Sequence, residues 1–131
     1  MSNLADITEP PAPLRAARRV LVVDDDGAIR ELLVELLEGD GYQVSSACDG
    51  QQALREVMVN WPGLITLDLM MPIMSGWQFL KLQSEYPRLA SIPVVVLSAF
   101  DRRLGQPDVA EVLPKPFLVE DVLEAVRRLV S

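Results

Sequence analysis

Val20-Leu21-Val22-Val23, Leu64-Ile65-Thr66-Leu67 and Val94-Val95-Val96-Leu97 are short, nearly unbroken apolar runs. Each is followed at once by a polar side chain, Asp24, Asp68 and Ser98 respectively. Four or five aliphatic residues without polar alternation suit a strand covered on both faces. A chain with three such strands has to supply helices for both sides of its sheet. The segments between them have that character. From Ala28 to Glu38 apolar residues fall at 28, 29, 32, 33, 36 and 37, a helical stripe closed by Gly39 and Gly41. Tyr42 to Ala47 reads as a second strand. Asp49-Gly50 then turns into a second helix on Ala53, Leu54, Val57 and Met58, stopped before Pro62. Trp77 to Tyr86 reads as a third helix, ended before Pro87. Val109 to Leu113 is a weaker fifth strand before Pro114-Lys115-Pro116. Val119, Val122, Leu123, Val126 and Val130 form the last helix, with Glu120 and Asp121 as its early acids.

The order is strand then helix, five times, which with right-handed crossovers makes an α/β fold with an open, doubly wound parallel sheet. Residues 1–18 have no sustained period and carry Pro10, Pro11 and Pro13, so they read as a mobile tail ahead of a domain at 19–131. The formal net charge of −7 makes nucleic acid and anionic membrane poor partners and favours a cationic one. No apolar run approaches the roughly 20 residues of a membrane span. The single cysteine, Cys48, and an N-terminus without a signal-peptide core suit the cytoplasm. The absence of histidine excludes Ser-His and Cys-His catalysis and most zinc sites. Lysine occurs only as Lys81 and Lys115, against ten arginines.

In a parallel open sheet the strand C-termini share one edge, where ligands bind. Asp24 and Asp25, Asp68, Ser98 and Lys115 each close a strand, so the topology gathers them on that edge. Any one alone reads equally well as a solvated turn residue, but four strand ends with complementary chemistry are a site. Oxygen-only ligands without His or Cys select a hard cation, most naturally Mg²⁺. A carboxylate can attack phosphorus to give an aspartyl phosphate, and phosphoryl transfer needs little beyond positioning and neutralisation of the equatorial oxygens. Mg²⁺ and the Lys115 ammonium would neutralise, and the Ser98 hydroxyl would donate a hydrogen bond.

The segments VLVVDDD, LITLDLMMPIMSGW, PVVVLSA and LPKPF, in this order and spacing, resemble the four signature segments of the response regulator receiver domain. The resemblance covers residues 19–130. It implies a flavodoxin-like five-stranded sheet in the order 2-1-3-4-5. It makes Asp68 the phosphoacceptor and Asp24 and Asp25 the acidic pair. Mg²⁺ would be held directly by Asp25, Asp68 and the Met70 carbonyl, and by Asp24 through water. Ser98 would take the family's hydroxyl position, Lys115 its lysine, and Pro116 would follow a cis peptide bond. Asp26 reads as a first-turn helix acid rather than a ligand. The implied function is a phosphorelay module that takes a phosphoryl group from a sensor histidine kinase or a histidine phosphotransfer protein and passes the signal to an unidentified protein target by changing shape. The chain ends fifteen residues after Pro116, which fits a single-domain regulator, similar to the chemotaxis type, or a receiver cut from a longer protein.

Three positions depart from the family pattern. The residue three before the lysine, usually aromatic, is Val112. The stretch from Ala99 to Val109, with Gly105 and Pro107, leaves room only for a shortened or absent fourth helix, since a mean helix takes about 11 residues. Met70 and Phe100, two residues past Asp68 and Ser98, are apolar where polar side chains could orient an attacking water, which suggests a long-lived aspartyl phosphate. A phosphohydrolase that uses Asp68 as nucleophile would want a second acid where Met70 stands. The first two departures fall on what the resemblance implies is the output face, built from helix 4, strand 5 and helix 5. They favour a pseudo-receiver, binding without being phosphorylated, which the intact Asp24, Asp25, Asp68 and Lys115 oppose. A flavodoxin-like cofactor binder lacks its phosphate-cradling loop after strand 1.

Overall fold

The computed structural model describes residues 18–99 and 109–130. Five parallel strands run β1 (Arg19–Val23), β2 (Gln43–Ala47), β3 (Leu64–Leu67), β4 (Val94–Ser98) and β5 (Glu111–Pro114), and they lie side by side in the order β2-β1-β3-β4-β5. The helices are α1 (Gly27–Gly39), α2 (Gly50–Val59), α3 (Gly76–Ser84), the single turn α4 (Pro87–Ala90) and α5 (Val119–Leu129). The doubly wound fold and strand order expected from the sequence are those observed. The crossover between β4 and β5, where a shortened or absent helix is expected, lies outside the described residues, as do Phe100 and residues 1–17 of the tail.

Strand period two divides the core cleanly. Leu21, Val23, Ile65, Leu67, Val94 and Val96 face α2, α3 and α4, where Ala53, Val57, Phe79 and Leu89 are buried against them. Val20, Val22, Leu64, Val95 and Leu97 face α1 and α5, meeting Leu33, Leu37, Val122, Ala125 and Val126. β1, β3 and β4 therefore bury both faces, which is why their sequences show no polar alternation. Val112 is half-buried and packs on the α2–α3 side, filling the place where an aromatic was expected.

Local signals set the helix ends. Asp26 is the N-cap of α1, its carboxylate accepting from the N–H groups of Ala28 (3.0 Å) and Ile29 (3.3 Å). The sequence reading placed it one position too far along, inside the first turn. Asp49 caps α2 and Ser75 caps α3, the latter in a reciprocal capping box with Gln78. α1 ends through Gly41, whose φ of +94° a glycine adopts without strain. A second correction concerns α3, which stops at Ser84 instead of running to Tyr86. Pro87 does not merely end that helix; it opens the separate turn α4, where its fixed φ and missing N–H cost nothing. Gln83, buried, ties the turn down by donating from Nε2 to the carbonyls of Leu89 (2.9 Å) and Ile92 (3.1 Å). The fifth strand likewise starts two residues later than expected, at Glu111.

Thr66 is the exception in this apolar sheet. Its side chain lies in the central strand, between Val22 and Val95 in register, and its hydroxyl has no partner among the described residues. A buried orphan hydroxyl costs about 1–3 kcal/mol. Thr66→Val, which keeps the shape and removes the hydroxyl, is expected to raise unfolding free energy by about 1 kcal/mol in urea titrations, with the slope against denaturant unchanged.

Candidate functional site

The register carries the polar strand ends to one place. Val23 of β1 pairs with Leu67 of β3, so Asp24 and Asp68 leave the sheet side by side, and the Asp68 N–H donates to the Val23 carbonyl at 3.0 Å. Ser98 of β4 pairs with Pro114 of β5, and the Lys115 N–H donates to the Ser98 carbonyl at 3.1 Å. Asp24, Asp25 and Asp68 each offer an oxygen within 4.8 Å of the others'. Asp24 and Asp68 are buried and Asp25 is exposed, so the cluster opens to solvent through Asp25.

Lys115 binds the cluster from ninety-one residues away. Its Nζ donates to Asp24 Oδ2 at 2.8 Å and stands 3.7 Å from Asp68 Oδ2. The other Asp24 oxygen accepts from the Asp26 N–H (2.9 Å), and Asp68 Oδ1 accepts from the Met70 N–H (3.2 Å). Ser98 is fully buried, and its hydroxyl has no partner among the described residues. The Lys115–Pro116 peptide is cis, as the resemblance implied.

The loop after Asp68 is built to close quarters. A Cβ on Gly76 would stand 2.3 Å from the Asp68 carbonyl oxygen and 2.7 Å from Leu69 Cα, so only glycine lets α3 start beneath the acid. Gly50 donates its N–H to the Met74 carbonyl (3.0 Å), and a Cβ there would meet Met74 at 2.6 Å. Leu69 and Met71 are buried in the core while Met70 is two-thirds exposed. The sequence pattern singles out neither this contact of Gly76 nor Arg30, whose Nη1 donates to the Asp24 carbonyl at 2.8 Å.

A family model of the response regulator receiver domain matches residues 20–127. The chain belongs to this family. Curated relatives include the phosphate regulon transcriptional regulatory protein PhoB of Klebsiella pneumoniae, 38% identical over 123 residues that cover 88% of this chain and 54% of PhoB. Response regulator MprA of Mycobacterium sp. (strain KMS) is 40% identical over 117 residues, 85% of this chain and 50% of MprA. The chain thus spans about half the length of these relatives. Among solved structures, chemotaxis response regulator CheY4 of Vibrio cholerae is similar at a TM-score of 0.77 and 29% identity, over 85% of this chain and 97% of that one. The signal receiver domain of a signal transduction histidine kinase from Syntrophus aciditrophicus gives 0.78 and 29%, over 86% and 89%. This is a receiver domain of the two-component response regulator type, a signalling domain rather than a turnover enzyme. No helix among its described residues is long and apolar enough to cross a membrane.

The receiver's electrostatics follow from crowding. Burial first, then the neighbouring Asp24 charge, push the Asp68 carboxyl from 3.8 up to about 6, while Lys115 and the Met70 N–H pull it down and Asp25 adds to the rise. Between about 4 and about 6 the folded chain therefore holds a proton that the unfolded chain has released, so this group's contribution makes stability fall as pH rises through that window. In metal-free buffer, urea unfolding of the parent minus that of Asp68→Asn should show a decline of about 2 kcal/mol from pH 4 to pH 7. A flat difference would mean that Asp68 titrates normally.

Proposed function

We propose that Asp68 is the phosphoacceptor of this receiver, taking a phosphoryl group from the histidine of a sensor kinase or phosphotransfer protein. The observation that carries the reading is the setting of Asp68: a buried carboxylate flanked by Asp24 and Asp25 and faced by the Lys115 ammonium, with the adjacent strand ending in a buried Ser98 hydroxyl that has no hydrogen-bond partner among the described residues. A carboxylate oxygen of Asp68 attacks phosphorus, a P–O bond forms, and the P–N bond to the donor imidazole breaks with its electron pair leaving on nitrogen. Lys115, already 3.7 Å from Asp68, is within easy reach of an equatorial oxygen of the new phosphate, and the Ser98 hydroxyl supplies a donor for another.

The three-carboxylate cluster fits a divalent cation on its own chemistry. The donors are all oxygen, two of the three carboxylates are buried, and burial and the neighbouring Asp24 push Asp68 toward protonation. Asp24, Asp25, Asp68 and the Met70 carbonyl are the residues that would hold it. When bound, Mg²⁺ would neutralise the cluster and the phosphoryl oxygens. Residues 19–131 form the receiver and 1–18 a tail outside it, with the cytoplasm as the setting that a lone free cysteine suits. PhoB is by name a transcriptional regulatory protein, but the charge of −7 makes this domain's own target a protein rather than nucleic acid. Phosphorylation would act on that target by drawing Ser98, and with it the β4–β5 edge, toward the new charge.

The test is intact mass after incubation with Mg²⁺ and acetyl phosphate. The expected result is an adduct of one phosphoryl group that is absent in Asp68→Ala. A pseudo-receiver would give no adduct, and a phosphohydrolase would release phosphate steadily without one. Because the exposed Met70 side chain offers no polar group to orient water, the adduct should be long-lived among receivers. Met70→Asn should shorten its half-life, as read by the loss of the adduct after the donor is removed. An unchanged half-life would assign the lifetime elsewhere.

A further inference from the structure

We infer that Arg30 is a positioning residue for the cation site, acting through the main chain between the two adjacent acids. The inference rests on the reading of that cluster as a divalent-cation site. β1 ends its ladder at Val23, whose carbonyl accepts from the Asp68 N–H. The next carbonyl, that of Asp24, is taken by Arg30 Nη1 at 2.8 Å. Every other polar group of Asp24 is also held: its N–H by the Ala47 carbonyl (3.1 Å), Oδ1 by the Asp26 N–H (2.9 Å) and Oδ2 by Lys115 Nζ (2.8 Å). Asp25 is exposed, and its side chain meets the cluster through Asp68. The peptide plane from the Asp24 carbonyl to the Asp25 Cα is rigid, however. Fixing the carbonyl oxygen at one end of that plane fixes where the Asp25 Cα stands, and so the point from which its carboxylate reaches the oxygens of Asp24 and Asp68.

The location of Arg30 supports this role independently. It stands in the first turn of α1, whose N-terminal end carries the positive pole of the helix, where a cation is disfavoured by about 0.3–1 kcal/mol. Its guanidinium folds back toward that end, lying 3.6 Å from where a Cβ on Gly27 would be. A residue placed against the helix dipole in this way serves something other than the helix, and the group it reaches is the Asp24 carbonyl. Outer-shell groups that orient metal ligands in this manner typically contribute 10–100-fold to metal affinity.

Positioning and bare charge predict opposite signs. Removing a cation beside three acids, by charge alone, strengthens Mg²⁺ binding. Removing an aiming hydrogen bond weakens it. The test is calorimetric titration of Mg²⁺ into the parent chain, Arg30→Met (which keeps the apolar stem and loses the donors) and Arg30→Lys. We expect a loss of about tenfold in Arg30→Met, substantial recovery in Arg30→Lys, and acetyl phosphate labelling of Arg30→Met that is slow at limiting Mg²⁺ but restored at saturation. Thermal melts in chelator should superpose for the parent and Arg30→Lys, which keeps the test readable if Arg30→Met unfolds. If the parent itself fails to bind Mg²⁺, the reading of the cluster fails. If the parent binds and Arg30→Met binds equally or more tightly, the inference about Arg30 is overturned.

Discussion

Three carboxylates whose oxygens lie within 4.8 Å of one another repel, and the architecture of this chain is the arrangement that holds them there all the same. One strand brings Asp24 with Asp25 following it, its neighbour brings Asp68, and the register between Val23 and Leu67 sets them level. Lys115 answers them from the far side of the sheet, ninety-one residues on, and it is anchored through the backbone to Ser98. The cost of burying and crowding the acids is visible in the raised Asp68 carboxyl. A sheet buried on both faces is rigid enough to sustain that cost, whereas a loop would relax and separate the charges.

The carboxylate cluster and the apolar core are therefore one design. The same alternation that sends Leu21 and Val23 toward α2 and α3, and Val20 and Val22 toward α1 and α5, decides which way each strand-end side chain faces. Asp24 continues the parity of Val22, Asp68 that of Leu64 and Thr66, and Lys115 that of Leu113. These three charged groups thus leave their strands with the same parity, at ends that the register sets side by side.

Much of this was legible in the sequence because it rests on period and composition. Unbroken apolar runs announce doubly covered strands, and a polar residue at the end of each marks the edge where they meet. What escaped was whatever depends on a contact distant in sequence or on a single turn. Pro87 marks both a stop and a start, and only the structure shows that it opens α4. Asp26 sits one residue outside the helix because its carboxylate is needed by the N–H groups of Ala28 and Ile29. The bond from Arg30 to Asp24 left a trace that went unread, a cation in a first helical turn. The burial of Thr66 follows from its central strand, but nothing in the sequence tells that its hydroxyl finds no partner among the described residues.

The loop between Asp68 and α3 carries a further consequence through its two glycines. Gly76 touches the acid's own carbonyl, and Gly50 reaches across from α2 to hold Met74. Neither brings a functional group, yet any side chain at either must displace backbone that also sets the aim of Asp68. In a saturation screen for lost signalling, these two positions would rank with the charged residues. Sorting such hits by chemistry would then mistake architecture for reactivity. The informative control is abundance of the folded chain, which separates a glycine that shapes the site from an acid that works in it.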